Sequence, residues 1–137
     1  MIAIIDVSGT NLTSLAKSLE RLDTPYVLTH QPQEIQKASH VIIPGVGTAK
    51  FGMNALIQYD LVDVLKTLTQ PVLGICLGMQ LLFELSDEEN IPCLGVIPGR
   101  VKSLKKSPNH PIPHMGWNQL DWSKGSPLRH GLKDKDY

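Results

Sequence analysis

The chain has 137 residues, 42% hydrophobic and 19% charged, with 13 basic side chains against 13 acidic ones and a formal net charge of zero. That length supports one buried core and a single domain over residues 1–137, and the composition lies outside the disordered class. The balanced charge gives no electrostatic basis for nucleic acid or an anionic membrane surface as partner, and no apolar stretch approaches the roughly 20 residues that span a bilayer. Met1 to Ile5 is strand-like and lacks the basic start of a secretion signal. Two cysteines, Cys76 and Cys93, fit a reducing compartment better than a disulfide scaffold, so a cytoplasmic protein is expected.

Ile2 to Val7 is an apolar, β-rich run of the kind found in buried parallel strands, closed by Ser8-Gly-Thr-Asn11. Leu12, Leu15, Ala16, Leu19 and Leu22 then recur at helical spacing, with Asn11 placed to cap. Pro25 to Thr29 is a second strand, Glu34 to Lys37 allows a helical turn, and His40 to Pro44 is a third strand that runs into Gly45-Val-Gly47. Met53, Leu56, Ile57, Leu61, Val64, Leu65 and Leu68 predict one long helix, stopped by Pro71. Val72 to Ile75 is a further strand, and Leu77 to Leu85 reads as a helix. Strands alternating with helices predict an α/β fold with a doubly wound, mainly parallel sheet. After Glu84 the texture changes: an acidic turn at Ser86-Asp-Glu-Glu-Asn90, then frequent prolines and glycines. A β-rich extension is expected there, with short strands at Val101 to Leu104 and Gly116 to Trp122.

Cys76 stands between the last strand of the α/β part and its helix, with Gly74 two residues before and Gly78 two after. This Gly-x-Cys-x-Gly pattern is the thiol form of the tight turn that raises a nucleophile above a sheet. Glycines are needed on both sides so that strand and helix can pack closely. A helix N-terminus at Cys76 would favour the thiolate. The alternative is a buried structural cysteine at a strand end.

Other constellations are weaker. Ser8 to Asn11 resembles a piece of a phosphate loop but lacks the full glycine pattern, and a strand-exit turn with a helix cap explains it. Gly45-Val-Gly47 can aim N–H groups toward the Leu77 amide as an oxyanion hole, or can be a plain turn; the local sequence does not choose. Cys76, Cys93, His110 and His114 lack zinc-ligand spacing, and no metal or cofactor is expected. His114-Met-Gly-Trp-Asn118 is either a surface loop with a packed Trp117 or a partner-facing patch. A thiol nucleophile needs a base. His110, His114 and His130 lie downstream, and none has the His-x-acid context that would hold an imidazole toward Cys76.

Pro71-Val-Leu-Gly-Ile-Cys-Leu-Gly-Met-Gln-Leu-Leu82 resembles the nucleophile motif of class I (triad) glutamine amidotransferases, which have a flavodoxin-like fold. With Pro44-Gly-Val-Gly47, Pro98-Gly-Arg-Val101 and Pro113-His-Met-Gly-Trp-Asn118, the resemblance narrows to the glutaminase subunits of imidazole glycerol-phosphate synthases. It implies that Cys76 attacks the side-chain amide of glutamine, and that Leu77 with Val46 and Gly47 holds the oxyanion. It implies further that Gln80 and Glu88 contact glutamine, Glu88 through the substrate ammonium. Asn11, His114, Met115, Gly116, Trp117 and Asn118 match segments that face a cyclase subunit, a (β/α)8 barrel that receives the ammonia. The family's His-Pro-Glu motif, which supplies the other triad members, does not occur in these 137 residues. The chain therefore reads as an incomplete domain, inactive alone, with an uncovered sheet edge through which a second copy could pair.

Overall fold

The computed structural model describes residues 1–7, 12–107, 111–117, 119–122 and 125–130. Residues 1–103 and 104–137 form two compact units.

The first unit is built on four short parallel strands: β1 (Ile2–Ile5), β2 (Tyr26–Thr29), β3 (His40–Ile43) and β4 (Val72–Gly74), in the order β2-β1-β3-β4. Four helices cross between or follow them: α1 (Thr13–Arg21), α2 (Pro32–Lys37), α3 (Ala49–Gln58) and α4 (Val62–Lys66), with α5 (Leu77–Leu81) after β4. The strand residues alternate between two apolar layers. Ala3, Ile5, Val41 and Ile43 face Ile35, Met53, Leu56, Leu61, Leu65, Leu77 and Leu81 from α2 to α5 and the turns between them. Ile4 and Ile42 face Leu12 and Leu19 at α1. The expected doubly wound sheet is present, with helices on both faces. Ile35, Leu56 and Leu61 are fully buried, each contributing about 2 kcal/mol by area.

The second face is only partly covered. Register aligns Leu28, Ile4, Ile42 and Leu73 in one row. α1 covers the middle pair, while Leu28 and Leu73 stay 43% and 47% exposed. β4 is the last strand on its side of the sheet, so its outer edge is open among the described residues.

Four expectations change. The long helix over Met53 to Leu68 is two helices, because Asp60 takes φ 55° and breaks the run. The helix expected to reach Leu85 ends at Leu81, and β5 (Phe83–Ser86) follows at once. β5 pairs antiparallel with β6 (Ile91–Pro92) and parallel with β7 (Ile97–Val101), giving the expected β-rich extension as a three-stranded sheet. The strand expected at Val101 to Leu104 thus lies earlier. Pro98 is tolerated because β7 is an edge strand, and Gly99, at φ 117°, sits at a register shift. In the second unit the described part of Gly116 to Trp122 is not strand, and Pro127–Arg129 forms a 3₁₀ turn. Asn11, expected to cap α1, lies outside the described residues, and Leu12 holds the N-cap position. No helix among the described residues is long and apolar enough to cross a membrane.

Candidate active site

Cys76 is exposed, two residues past the end of β4 and at the N-cap of α5, with φ 54° and ψ −117°. L-residues rarely adopt that conformation, and it costs about 1–3 kcal/mol where surrounding structure enforces it. The enforcement is visible. Ile75 donates its N–H to the Ile43 carbonyl at 2.9 Å, which keeps the chain on β3 up to the residue before the nucleophile. Directly after it, Met79 and Gln80 donate to the Cys76 carbonyl at 3.1 and 3.2 Å, so α5 is already wound. The chain must reverse within one residue, and Cys76 absorbs the turn.

The flanking glycines make that reversal possible. A Cβ on Gly74 would stand 2.5 Å from Met79 Cα. One on Gly78 would stand 2.6 Å from the carbonyl carbon of Ile43 and closer still to its oxygen. Both are backbone collisions that no rotamer relieves. The alternative of a buried structural cysteine fails on exposure and on backbone conformation. α5 is only five residues long, so it offers first-turn N–H groups rather than the dipole of a long helix.

The Gly45–Gly47 loop belongs to this elbow. A Cβ on Gly45 would meet Leu77 Cβ and the Gly78 nitrogen, each at 2.9 Å, so the loop backbone lies directly against the first turn of α5. Gly47 takes φ 93°. The two glycines serve different needs, close approach at Gly45 and a left-handed turn at Gly47. Val46 and Gly47 are exposed, and Leu77, the first residue of α5, is buried. The loop therefore lies against the turn of α5 that directly follows Cys76.

Gln80, half-buried, lies four residues beyond Cys76 on α5. Glu88 stands in the turn between β5 and β6, where Glu89 and Asn90 take φ 56° and 53°. The Glu88 carboxylate accepts the Ala49 N–H at 3.0 Å. The adjoining Lys50 and Glu89 form an ion pair at 3.2 Å, and Asp87 pairs with Arg100 at 2.6 Å. Sequence reading missed the tie from Glu88 to Ala49, since 39 residues separate the partners and no local pattern marks it. It also missed Thr48, whose hydroxyl caps α3 by accepting the Phe51 N–H at 3.2 Å; a threonine just before the helix was a readable signal.

Two histidines in the first unit can be placed by strand order. His40 opens β3, at the end of the sheet away from Cys76. His30 follows β2, three strand spacings or about 14 Å from β4, and stacks on Tyr59 at 4.4 Å. Neither reaches the thiol. In the second unit Met115 and Trp117 are 85% and 98% exposed, and His114 and Gly116 are exposed as well. Asn118 and His110 lie outside the described residues.

Cys93 contrasts with Cys76. It is buried, packs in the main core and directs its Sγ to the Ile91 carbonyl at 3.5 Å. Burial pushes its thiol pKa up. A thiol-exchange titration at neutral pH is expected to count one fast cysteine in the folded protein and two after unfolding. Two fast cysteines in the folded state would contradict this packing.

Comparison with known proteins agrees with this geometry. The family model for class-I glutamine amidotransferases matches residues 3–135. The protein called imidazole glycerol phosphate synthase subunit HisH 2 of Legionella pneumophila strain Lens is 66% identical over all 137 residues, which span 69% of its length. The subunit called HisH from Xylella fastidiosa strain Temecula1 is 46% identical over 127 residues, covering 93% of this chain and 64% of that one. A crystal structure titled as a glutamine amidotransferase superposes with a TM-score of 0.61 over 74% of this chain and 55% of its own; at 18% identity it shows the fold alone.

Proposed function

The chain belongs to the class-I glutamine amidotransferase family, and on that premise we propose that it is the glutaminase subunit of an imidazole glycerol phosphate synthase. Two observations support the family and the subunit: the match over residues 3–135 and the 66% identity to a subunit of that name. The geometry that carries the chemistry is the strained, exposed Cys76 with the Gly45–Gly47 loop packed on the next helical turn.

In this reading the Cys76 thiolate attacks the side-chain carbonyl carbon of glutamine. The C–S bond forms, negative charge develops on the oxygen, and the amides of Leu77 and the Val46–Gly47 loop stabilise it. The C–N bond then breaks, and the nitrogen leaves as ammonia after taking up a proton. Water hydrolyses the thioester, releasing glutamate and restoring the thiol. Gln80 and Glu88 hold the substrate, Glu88 by the charge of its carboxylate against the α-ammonium. The base that moves the proton is neither His30 nor His40, so the first unit supplies the nucleophile and oxyanion site without the base. A polypeptide confined to these 137 residues would retain only the contribution of binding and oxyanion stabilisation.

Ammonia passes to a cyclase subunit, a (β/α)8 barrel, so the working form is a heterodimer in the cytoplasm. Its contact surface includes the exposed His114, Met115, Gly116 and Trp117, and Asn11 and Asn118 match partner-facing segments of the family as well. Large exposed aromatics of this kind are frequent anchors of interfaces. The direct test measures ammonia release from glutamine by the intact protein, with and without the cyclase. Release that rises when the cyclase is added supports the proposal. A free-standing hydrolase would release ammonia equally well in both, and that result would overturn the synthase assignment.

A further inference from the structure

The Gly45–Gly47 loop is fastened at both ends, and the two fastenings differ in kind. Upstream, Gly45 is wedged against Leu77 and Gly78 by shape. Downstream, the loop passes through Thr48 into Ala49, the first residue of α3, which is fully buried. The N–H of Ala49 has no acceptor within its own helix. Glu88 accepts it at 3.0 Å from the turn between β5 and β6. Only Val46 and Gly47 remain to aim their amides, and Gly47 at φ 93° offers little resistance of its own to turning away.

The turn that carries Glu88 is itself held. Its backbone N–H donates to the Ser86 hydroxyl at 3.3 Å, and Ser86 is 1% exposed. Asp87 donates its N–H to the Val101 carbonyl at 2.9 Å and pairs with Arg100. The carboxylate is thus presented to α3 from a fixed base, and a charged acceptor on a helix-start N–H makes one of the stronger backbone contacts.

We propose that Glu88 is a positioning residue for the oxyanion loop: by holding Ala49 it fixes the direction in which Val46 and Gly47 present their amides. This deepens the glutaminase reading and rests on it. A carboxylate has two oxygens, so Glu88 can hold Ala49 with Oε2 while Oε1 meets the substrate ammonium. Substrate capture and oxyanion stabilisation are then joined through one side chain.

The test separates those two roles with glutaramate, which is glutamine without its α-amino group. The intact protein with its cyclase, and its Glu88→Ala, Glu88→Gln and Glu89→Gln variants, are compared by kcat for ammonia release from each compound. With glutaramate there is no ammonium to bind, yet Glu88→Ala is expected to lower kcat about 10²-fold, the scale of a lost oxyanion donor. Glu88→Gln keeps an amide oxygen that can accept from Ala49, and is expected to recover most of that loss while still raising KM for glutamine. Glu89→Gln, which removes a charge from the same turn but no bond to Ala49, is expected to stay near the parent. Faster amide hydrogen exchange at Ala49 in Glu88→Ala, with an unchanged urea midpoint, gives the same answer without turnover. Equal glutaramate kcat in the parent and Glu88→Ala overturns the proposal, as does an equal loss in Glu89→Gln. Absence of ammonia from either compound with the parent overturns the glutaminase reading instead, and this proposal with it.

Discussion

Cys76→Ala is expected to lose glutamine turnover by about 10⁴-fold or more, because it removes the exposed thiol and the other cysteine, Cys93, is buried. Its stability should stay within about 0.5 kcal/mol of the parent, since an exposed thiol contributes little packing. Cys76→Gly is the informative companion. It is equally inactive, but it relieves φ 54°, ψ −117° at a position where only glycine is at ease. Strain relief of about 1–3 kcal/mol, offset by the larger unfolded-state entropy of glycine, leaves a net gain of about 1 kcal/mol over Cys76→Ala. Urea midpoints of the two variants check this. If Cys76→Gly is no more stable than Cys76→Ala, the elbow does not strain its nucleophile, and the fold spends no stability on holding Cys76 in place.

The same elbow shows why much of the site was legible in the sequence. Gly74, Cys76 and Gly78 lie within five residues, and each answers to a local steric requirement that a pattern can carry. The Gly45–Gly47 loop was half legible. Its glycines marked a turn after β3, but the close approach of Gly45 to Leu77 and Gly78, which sets that turn against α5, has no local signal. What stayed hidden were ties between distant segments, above all Glu88 to Ala49.

Element boundaries failed where two elements share one apolar layer. Met53, Leu56, Leu61 and Leu65 all enter the main core, so their spacing reads as one helix although the chain bends at Asp60. No glycine or proline marks that bend. Leu81 to Leu85 is apolar enough for either a helix or a buried strand. The structure ends α5 at Leu81 and pairs Phe83–Ser86 with β6 and β7. In both places the hydrophobic pattern predicted which residues are buried, and the backbone reached that burial by another route.

Gly78→Ala is expected to be the most damaging single-methyl change in the first unit. The added carbon would stand 2.6 Å from the Ile43 carbonyl carbon and closer to its oxygen, where an ordinary carbon–oxygen contact needs about 3.3 Å. Nothing flexible is available to move. That same carbonyl accepts the Ile75 N–H at 2.9 Å, the bond that joins the elbow to β3. Pushing α5 away from β3 therefore strains the core packing of Leu77 and Leu81 and weakens this bond together. Overpacking of up to about 3 kcal/mol, with about 1 kcal/mol for the hydrogen bond, gives a loss near 4 kcal/mol. That is a large part of the stability of a small domain and corresponds to a fall in Tm of about 15 °C.

Gly52→Ala is the proper control. Its Cβ would lie 2.8 Å from Leu81 Cδ1, the far end of a side chain that can rotate, and alanine is favoured over glycine inside α3 by about 1 kcal/mol. Its Tm should stay close to the parent value. The two glycines look alike in sequence, each standing between a large apolar residue and a methionine, Phe51-Gly-Met53 and Leu77-Gly-Met79. They differ only in what faces them, a side-chain tip at Gly52 and a backbone carbonyl at Gly78. If Gly78→Ala melts with Gly52→Ala, the tight crossing of β3 and α5 is not what holds the nucleophile turn. The close packing of the Gly45–Gly47 loop on α5, which depends on that same crossing, would then have to be abandoned.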